Sequence, residues 1–154
     1  MNRFPIAVII EKTRLDNRWA DERWEVVGVV PAFDDLGEIP RRIFADETRE
    51  QFLAARLELE LFRDEAPGYH LNLTSPEPRV FIVWRLEDGF ARPCNATVSY
   101  TEAARFMDAS EEVDGTPIPE EIANWLGEFV NTHYKPEPRR KVRRNDPFTI
   151  AVKS

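Results

Sequence analysis

Side chains that bind soft metals or do redox chemistry are nearly missing from this chain, which has one cysteine, Cys94, and two histidines, His70 and His133. A single cysteine excludes an intramolecular disulfide and any cysteine-rich zinc or iron–sulfur motif, and it suits a reducing compartment. A zinc centre would need carboxylates to complete it, and no ligand-spaced cluster is visible, so no metal ligand is assigned. Glycine is also scarce. Six glycines leave little backbone for cradling a nucleotide, and there is no Gly-rich phosphate loop, HExxH or G-x-S-x-G. The apolar run near the N-terminus, Ile6–Ile10, is too short for a secretory segment, and no stretch approaches the ~18 apolar residues of a membrane span. These absences lead to the expectation of a soluble cytoplasmic protein with no cofactor and no catalytic residue, a binder rather than an enzyme.

What is present is a domain's worth of sequence with an uneven charge. A chain of 154 residues can bury about two thirds of its unfolded surface and needs no staple. The net charge of −7 divides into +5 over residues 135–154 and −12 over the rest. Residues 1–134 are expected to form one globular domain, followed by a basic, flexible tail at 135–154.

Periodicity assigns the elements. Ile6, Val8 and Ile10 share one side of a strand, residues 12–23 read as a charged connection, and Trp24, Val26, Gly28 and Val30 share a side until Pro31 ends the pairing. Residues 31–50 are turn-rich, with a short edge strand at 41–44. Leu57, Leu59 and Leu61 alternate with Glu58 and Glu60, as on a strand with one wet face. After a turn at 64–68, Tyr69, Leu71 and Leu73 alternate again. Val80–Leu86 is apolar on both faces up to Arg85, and Asp88-Gly89 supplies a tight hairpin turn into a return strand that Pro93 places at an edge or a bulge. Ser99 and Glu102 form a capping box for a short helix burying Ala103, Phe106 and Met107, and Asp114-Gly115 then breaks the chain. Pro119 opens the clearest helix, with Ile122, Trp125, Leu126, Phe129, Val130 and His133 on one stripe. The predicted fold is α+β: an antiparallel meander of about six strands, able to curve into a partly closed barrel, packed against C-terminal helices.

Two groups of residues are candidates for binding. Trp24, Trp84 and Trp125 sit on patterned elements and read as core, whereas Trp19 has no periodic partner. Flanked by Arg18 and Arg23, Trp19 is either an anchor for a protein partner or a lid folded onto the hairpin. The basic run Arg139, Arg140, Lys141, Arg143 and Arg144 is a second partner-binding candidate. It lacks interleaved aromatics and follows an acidic body, so nucleic acid is disfavoured as its ligand. If the meander encloses a pocket, Tyr69, His70, Asn72 and Trp84 would line it. Cys94 with His70 is a conceivable nucleophile and base, but a thiol among apolar strand positions reads as buried and inert. The paired acids Asp34-Asp35, Asp64-Glu65 and Glu111-Glu112 read as solvated loop residues.

Four segments carry a resemblance: VIIEKTRLDNRWADERWEVVGVV (8–30), LELELFRDEAPGYHLNLTSPEPRVFIVWR (57–85), VSYTEAARFMDASEEVDGTPIPEEIANWLGEFV (98–130) and HYKPEPRRKVRRND (133–146). Together they resemble an uncharacterised family of small bacterial proteins encoded near genes for formate dehydrogenase and molybdenum-cofactor handling. The resemblance implies a neighbourhood and no catalytic motif, so no residue inherits a role from it. The expectation is a non-enzymatic accessory or chaperone-like factor whose protein partner is a molybdenum-dependent formate dehydrogenase or a maturation factor. The alternatives are a small-molecule-binding barrel and a regulator acting through the basic tail.

Overall fold

The computed structural model describes residues 2–15 and 22–136. The alternation at Ile6–Ile10 belongs to a twelve-residue strand, β1 (Arg3–Arg14), with Phe4, Ile6, Val8 and Ile10 all turned into the interior. β1 runs antiparallel between β2 (Glu22–Pro31) and β4 (Arg49–Glu60), and the exposed edge strand β3 (Arg41–Ala45) pairs with β4, giving the order β2-β1-β4-β3. The connection expected over 12–23 is shorter than charge alone suggested. Pairing continues to Arg14 opposite Glu22, and Lys12 bridges Glu22 and Glu50 at 3.7 and 3.2 Å across the sheet.

Two bulges bend this sheet at the same level. Val27 is an extra residue between the pairs Ile10–Val26 and Ile9–Gly28, and Ala54 is extra between Ile9–Leu53 and Val8–Ala55. An inserted residue shifts the alternation by one and sharpens the local twist. Trp24 and Val26 therefore share the core with Val29, while Val30, expected on their side, packs on the opposite face. There the segment 32–40 lies over the sheet, and Leu36 and Ile39 cover Ala7 and Leu53.

A second sheet follows, with β5 (Arg79–Glu87) between β6 (Phe90–Thr97) and β7 (Glu112–Pro117). The β5–β6 hairpin turns on Asp88 and Gly89, both at positive φ (54° and 77°), as its two-residue loop demands. Pro93 stands beside a bulge on an edge strand, as its missing N–H requires, and the extra residue is Cys94. The bulge lifts Cys94 out of the alternation, so the thiol is exposed rather than buried. Asp114-Gly115 does not break the chain but lies within β7. A side chain at Gly115 would meet Arg79 Cδ at 2.9 Å and the Phe81 ring at 3.2 Å, so glycine here serves close packing, not a turn.

The helices complete the layers. The turn expected at 64–68 and the strand expected from Tyr69 to Leu73 are instead a single 3-10 turn at Arg63–Glu65 and the helix α1 (Ala66–Leu73), with Pro67 in its first turn. The alternation of Tyr69, Leu71 and Leu73 coincides with the helical spacing Ala66, Tyr69, Leu73. The helix buries Ala66 and Tyr69 and leaves Leu71 54% exposed. α2 (Tyr100–Asp108) buries Ala103 as expected, but Met107 is exposed. α3 (Glu120–His133) begins after Pro119, which is its N-cap, and buries Ile122, Leu126, Phe129 and Val130.

The inner faces of both sheets, α1 and α3 share one hydrophobic cluster, in which Ile6, Ile10, Leu59, Ile82, Ile122 and Leu126 are fully buried. Each such side chain contributes roughly 1.5–3 kcal/mol. β4 lies beside β6 and β2 beside β7, yet among the described residues no ladder joins the sheets. The expected six-stranded meander is thus, among the described residues, seven strands in two sheets that do not close into a barrel.

Candidate binding groove

The residues expected to line a pocket are spent on holding the fold together. The Tyr69 hydroxyl accepts the Phe62 N–H at 2.9 Å, and burial pushes its phenol up to about 12. Asn72, fully buried, donates to the Arg79 and Val98 carbonyls at 2.8 and 2.9 Å and accepts the Arg79 N–H at 3.0 Å, tying α1 to the start of β5 and the end of β6. His70 stacks on Tyr134 with ring centroids 4.3 Å apart. Trp84 donates its indole N–H to Asp114 Oδ2 at 3.0 Å, and the same oxygen accepts the Val26 N–H at 3.0 Å. The space a barrel would offer a ligand is filled by the shared core.

Of the partner-binding candidates, Arg23 is exposed and pairs with Glu25 at 3.4 Å on its own strand. Arg18 and Trp19 lie outside the described residues, as do Arg139, Arg140, Lys141, Arg143 and Arg144. Although Cys94 is exposed, partial desolvation by its neighbours and the nearby Glu111 and Glu87 carboxylates push the thiol up against the pull of Arg85, the wrong direction for a thiolate nucleophile. Among the described residues no three His, Cys, Asp or Glu side chains gather as a metal site.

One polar cluster links the helices. Ser99 caps α2 by accepting the Glu102 N–H at 3.0 Å, and its hydroxyl donates to Glu65 Oε2 at 2.6 Å. The other Glu65 oxygen receives Arg105 at 2.6 Å. Burial raises the Glu65 carboxyl, but the Ser99 hydroxyl and the Arg105 guanidinium outweigh it and hold the group below its ordinary range. The capping box is half formed, because the Glu102 carboxylate accepts from the Thr97 hydroxyl and Thr97 Oγ1 takes the Ser99 N–H in its place. Every partner here is internal, so the cluster is a clasp between α1 and α2.

The open feature lies on the outer face of the second sheet. Register places Phe81 opposite Gly115 and Val83 opposite Val113 on that face. Both faces of β5 are apolar, and both need cover. α2, nine residues long, lies against β6 and β7 and leaves a groove of about 560 Å³ floored by Phe81, Val113 and Gly115. Tyr100 and Met107, 43% and 51% exposed, stand at its α2 side, and Ser75–Glu77 border it beyond α1. The Tyr100 ring meets Phe81 edge-on at 5.5 Å, and Arg79, paired with Glu77 at 2.7 Å, lays its stem over Gly115. The polar lining of the groove is Ser75, the Glu77–Arg79 pair and the Tyr100 hydroxyl. The sequence carried a signal for it, a strand apolar on both faces beside a helix too short to cover one of them.

The model of one protein family, described as a protein of unknown function (DUF3305), matches residues 5–143. The chain belongs to this family. The DUF3305 match takes in the whole groove and, among the described residues, α1, α2, α3 and both sheets apart from the first two residues of β1. No curated protein matches the chain, and no solved structure does.

Proposed function

We propose that the chain is a non-enzymatic accessory factor whose groove between α2 and the second sheet takes an apolar segment of a protein partner, and that the partner is a molybdenum-dependent formate dehydrogenase or a factor in its maturation. The observation that carries the binding role is the exposed pair Tyr100 and Met107 over the floor of Phe81, Val113 and Gly115. A concave apolar site with one polar pair at its rim is the usual anatomy of a recognition groove. The choice of partner rests on the resemblance and its gene setting. The edge strand β3 is a poorer docking site, since Ile43 is a bulge, Arg49 lies over Phe44 at 5.3 Å and Arg42 pairs with Glu50 at 2.9 Å, all devices that blunt an edge.

The test is complementation in the native host. Deleting the gene should lower formate-dependent dye reduction, the wild-type chain should restore it, and Met107→Glu should fail to restore it while melting like wild type. Undiminished activity with full molybdenum loading in the deletion strain counts against the proposal.

A further inference from the structure

We propose that the partner segment taken by the groove between α2 and the second sheet is an amphipathic helix whose apolar stripe is bordered by lysine or arginine. The inference rests on the groove being a docking site, as proposed above, and adds the chemistry of what docks.

The shape of the site selects a helix over an extended strand. Strand addition needs a free sheet edge, and the outer strands of the second sheet, β7 and β6, lie against β2 and β4 of the first. The outer face of the second sheet is where cover is short. Among the described residues the helix lying there is α2, whose nine residues reach only about 13 Å. Along α2 the exposed residues Tyr100, Ala104 and Met107 recur at i, i+4 and i+7. Such a stripe is the kind of ridge that interdigitates with a second helix, and the small Ala104 leaves a notch between its two large neighbours. A helix laid beside α2 over Phe81 and Val113 would extend the helical layer that α2 begins.

The charge of the rim selects the polar residues of that helix. Residues 100–117, which form α2, its exit and β7, carry five acidic side chains and one basic one. The basic one, Arg105, is held by Glu65, while Glu111 is taken by Arg85 and Asp114 by the Trp84 and Val26 N–H groups. Asp108 and Glu112 are exposed, and neither forms an ion pair among the described residues. Asp108 follows Met107 and Glu112 precedes Val113, so both lie near the Met107 end of the groove. At the other end, where Tyr100 meets Phe81, stands Glu77 with its side chain 72% exposed. The one cation among the described residues lining the groove, Arg79, is already paired with Glu77 at 2.7 Å. Acids at both ends of an apolar floor attract a cationic helix, and they repel an acidic segment or an anionic membrane surface.

Labelled peptides of about 14 residues, roughly four helical turns, test this on the full chain. One carries leucine at i, i+3, i+4 and i+7 with lysine elsewhere, the second replaces its lysines by glutamate, and the third keeps the composition of the first with leucine at every second position. The lysine helix should bind and shift the Met107 methyl resonance, which is the methionine signal that disappears in Met107→Leu. The glutamate helix and the alternating peptide should bind at least about tenfold more weakly, and Asp108→Asn with Glu112→Gln should weaken the lysine helix about fivefold and flatten its salt dependence. Equal affinity for either control peptide overturns the inference, and so does binding of the lysine helix that leaves Met107 unmoved. If the lysine helix does not bind while Met107→Glu still fails in complementation, the cationic helix falls and the proposed function stands. If the lysine helix behaves as expected while Met107→Glu restores formate-dependent dye reduction, the chemistry of the groove stands and the proposed function falls.

Discussion

Ser99 is completely buried, and its hydroxyl both caps α2 and donates to Glu65. Ser99→Ala should therefore cost about 2 kcal/mol in urea denaturation, from the cap and from Glu65 left short of a donor. Gly68→Ala should cost more, because a Cβ there collides with Ser99 Oγ and closes on Thr101 Oγ1. The Glu65 carboxyl is held below its ordinary value of 4.5, so the stability it adds is present above that value and fades as pH falls through the folded one. Arg105→Gln should lower the urea midpoint near neutral pH and converge on wild type in acid. For Tyr69 the sign is opposite: its phenol, raised from 10.0 to about 12, favours the fold below 10 and loses that effect as pH climbs through about 12. Ionisation of Tyr69, followed by ultraviolet absorbance, should come only near pH 12, about where its raised value lies. The Ser99 cap was legible because a cap is a local pattern. The Gly68 contact was not, since it depends on two helices meeting thirty residues apart.

At the scale of elements, strands with unambiguous alternation and the α3 stripe could be read directly, and the errors have a common cause. In α1, apolar residues at 69, 71 and 73 fit both periods, and only the packing of Tyr69 under Phe129, at 5.7 Å, selects the helix. In β7, Asp114-Gly115 has the composition of a turn but is held in a strand by Phe81 beside the glycine and by two donors on the aspartate. Asp114→Ala should destabilise by about 2–4 kcal/mol, because the Trp84 and Val26 N–H groups both lose their acceptor. Asp114→Asn, which keeps an oxygen, should cost about half as much. Urea titration followed by tryptophan emission measures both.

For the molecule as a whole, hydrophobic periodicity pointed to the right class, α+β, and to the wrong closure. A run of alternating segments does not reveal that β1 and β5 each centre a separate sheet, because that depends on which strands meet. The groove shares this opacity: Tyr100 and Met107 belong to a helix too short to cover the outer face of the second sheet. The expected barrel and the observed pair of sheets also differ mechanically. Where β4 passes β6 and β2 passes β7, side chains and the Asp114 carboxylate take the place of a backbone ladder. The two sheets are therefore held to each other by a shared core and one carboxylate rather than by a ladder, so their margins open to solvent more readily than the strands at the centre of either sheet. Amide deuteration should enter first at the facing margins of β2 and β6, and last at the spines, β1 and β5.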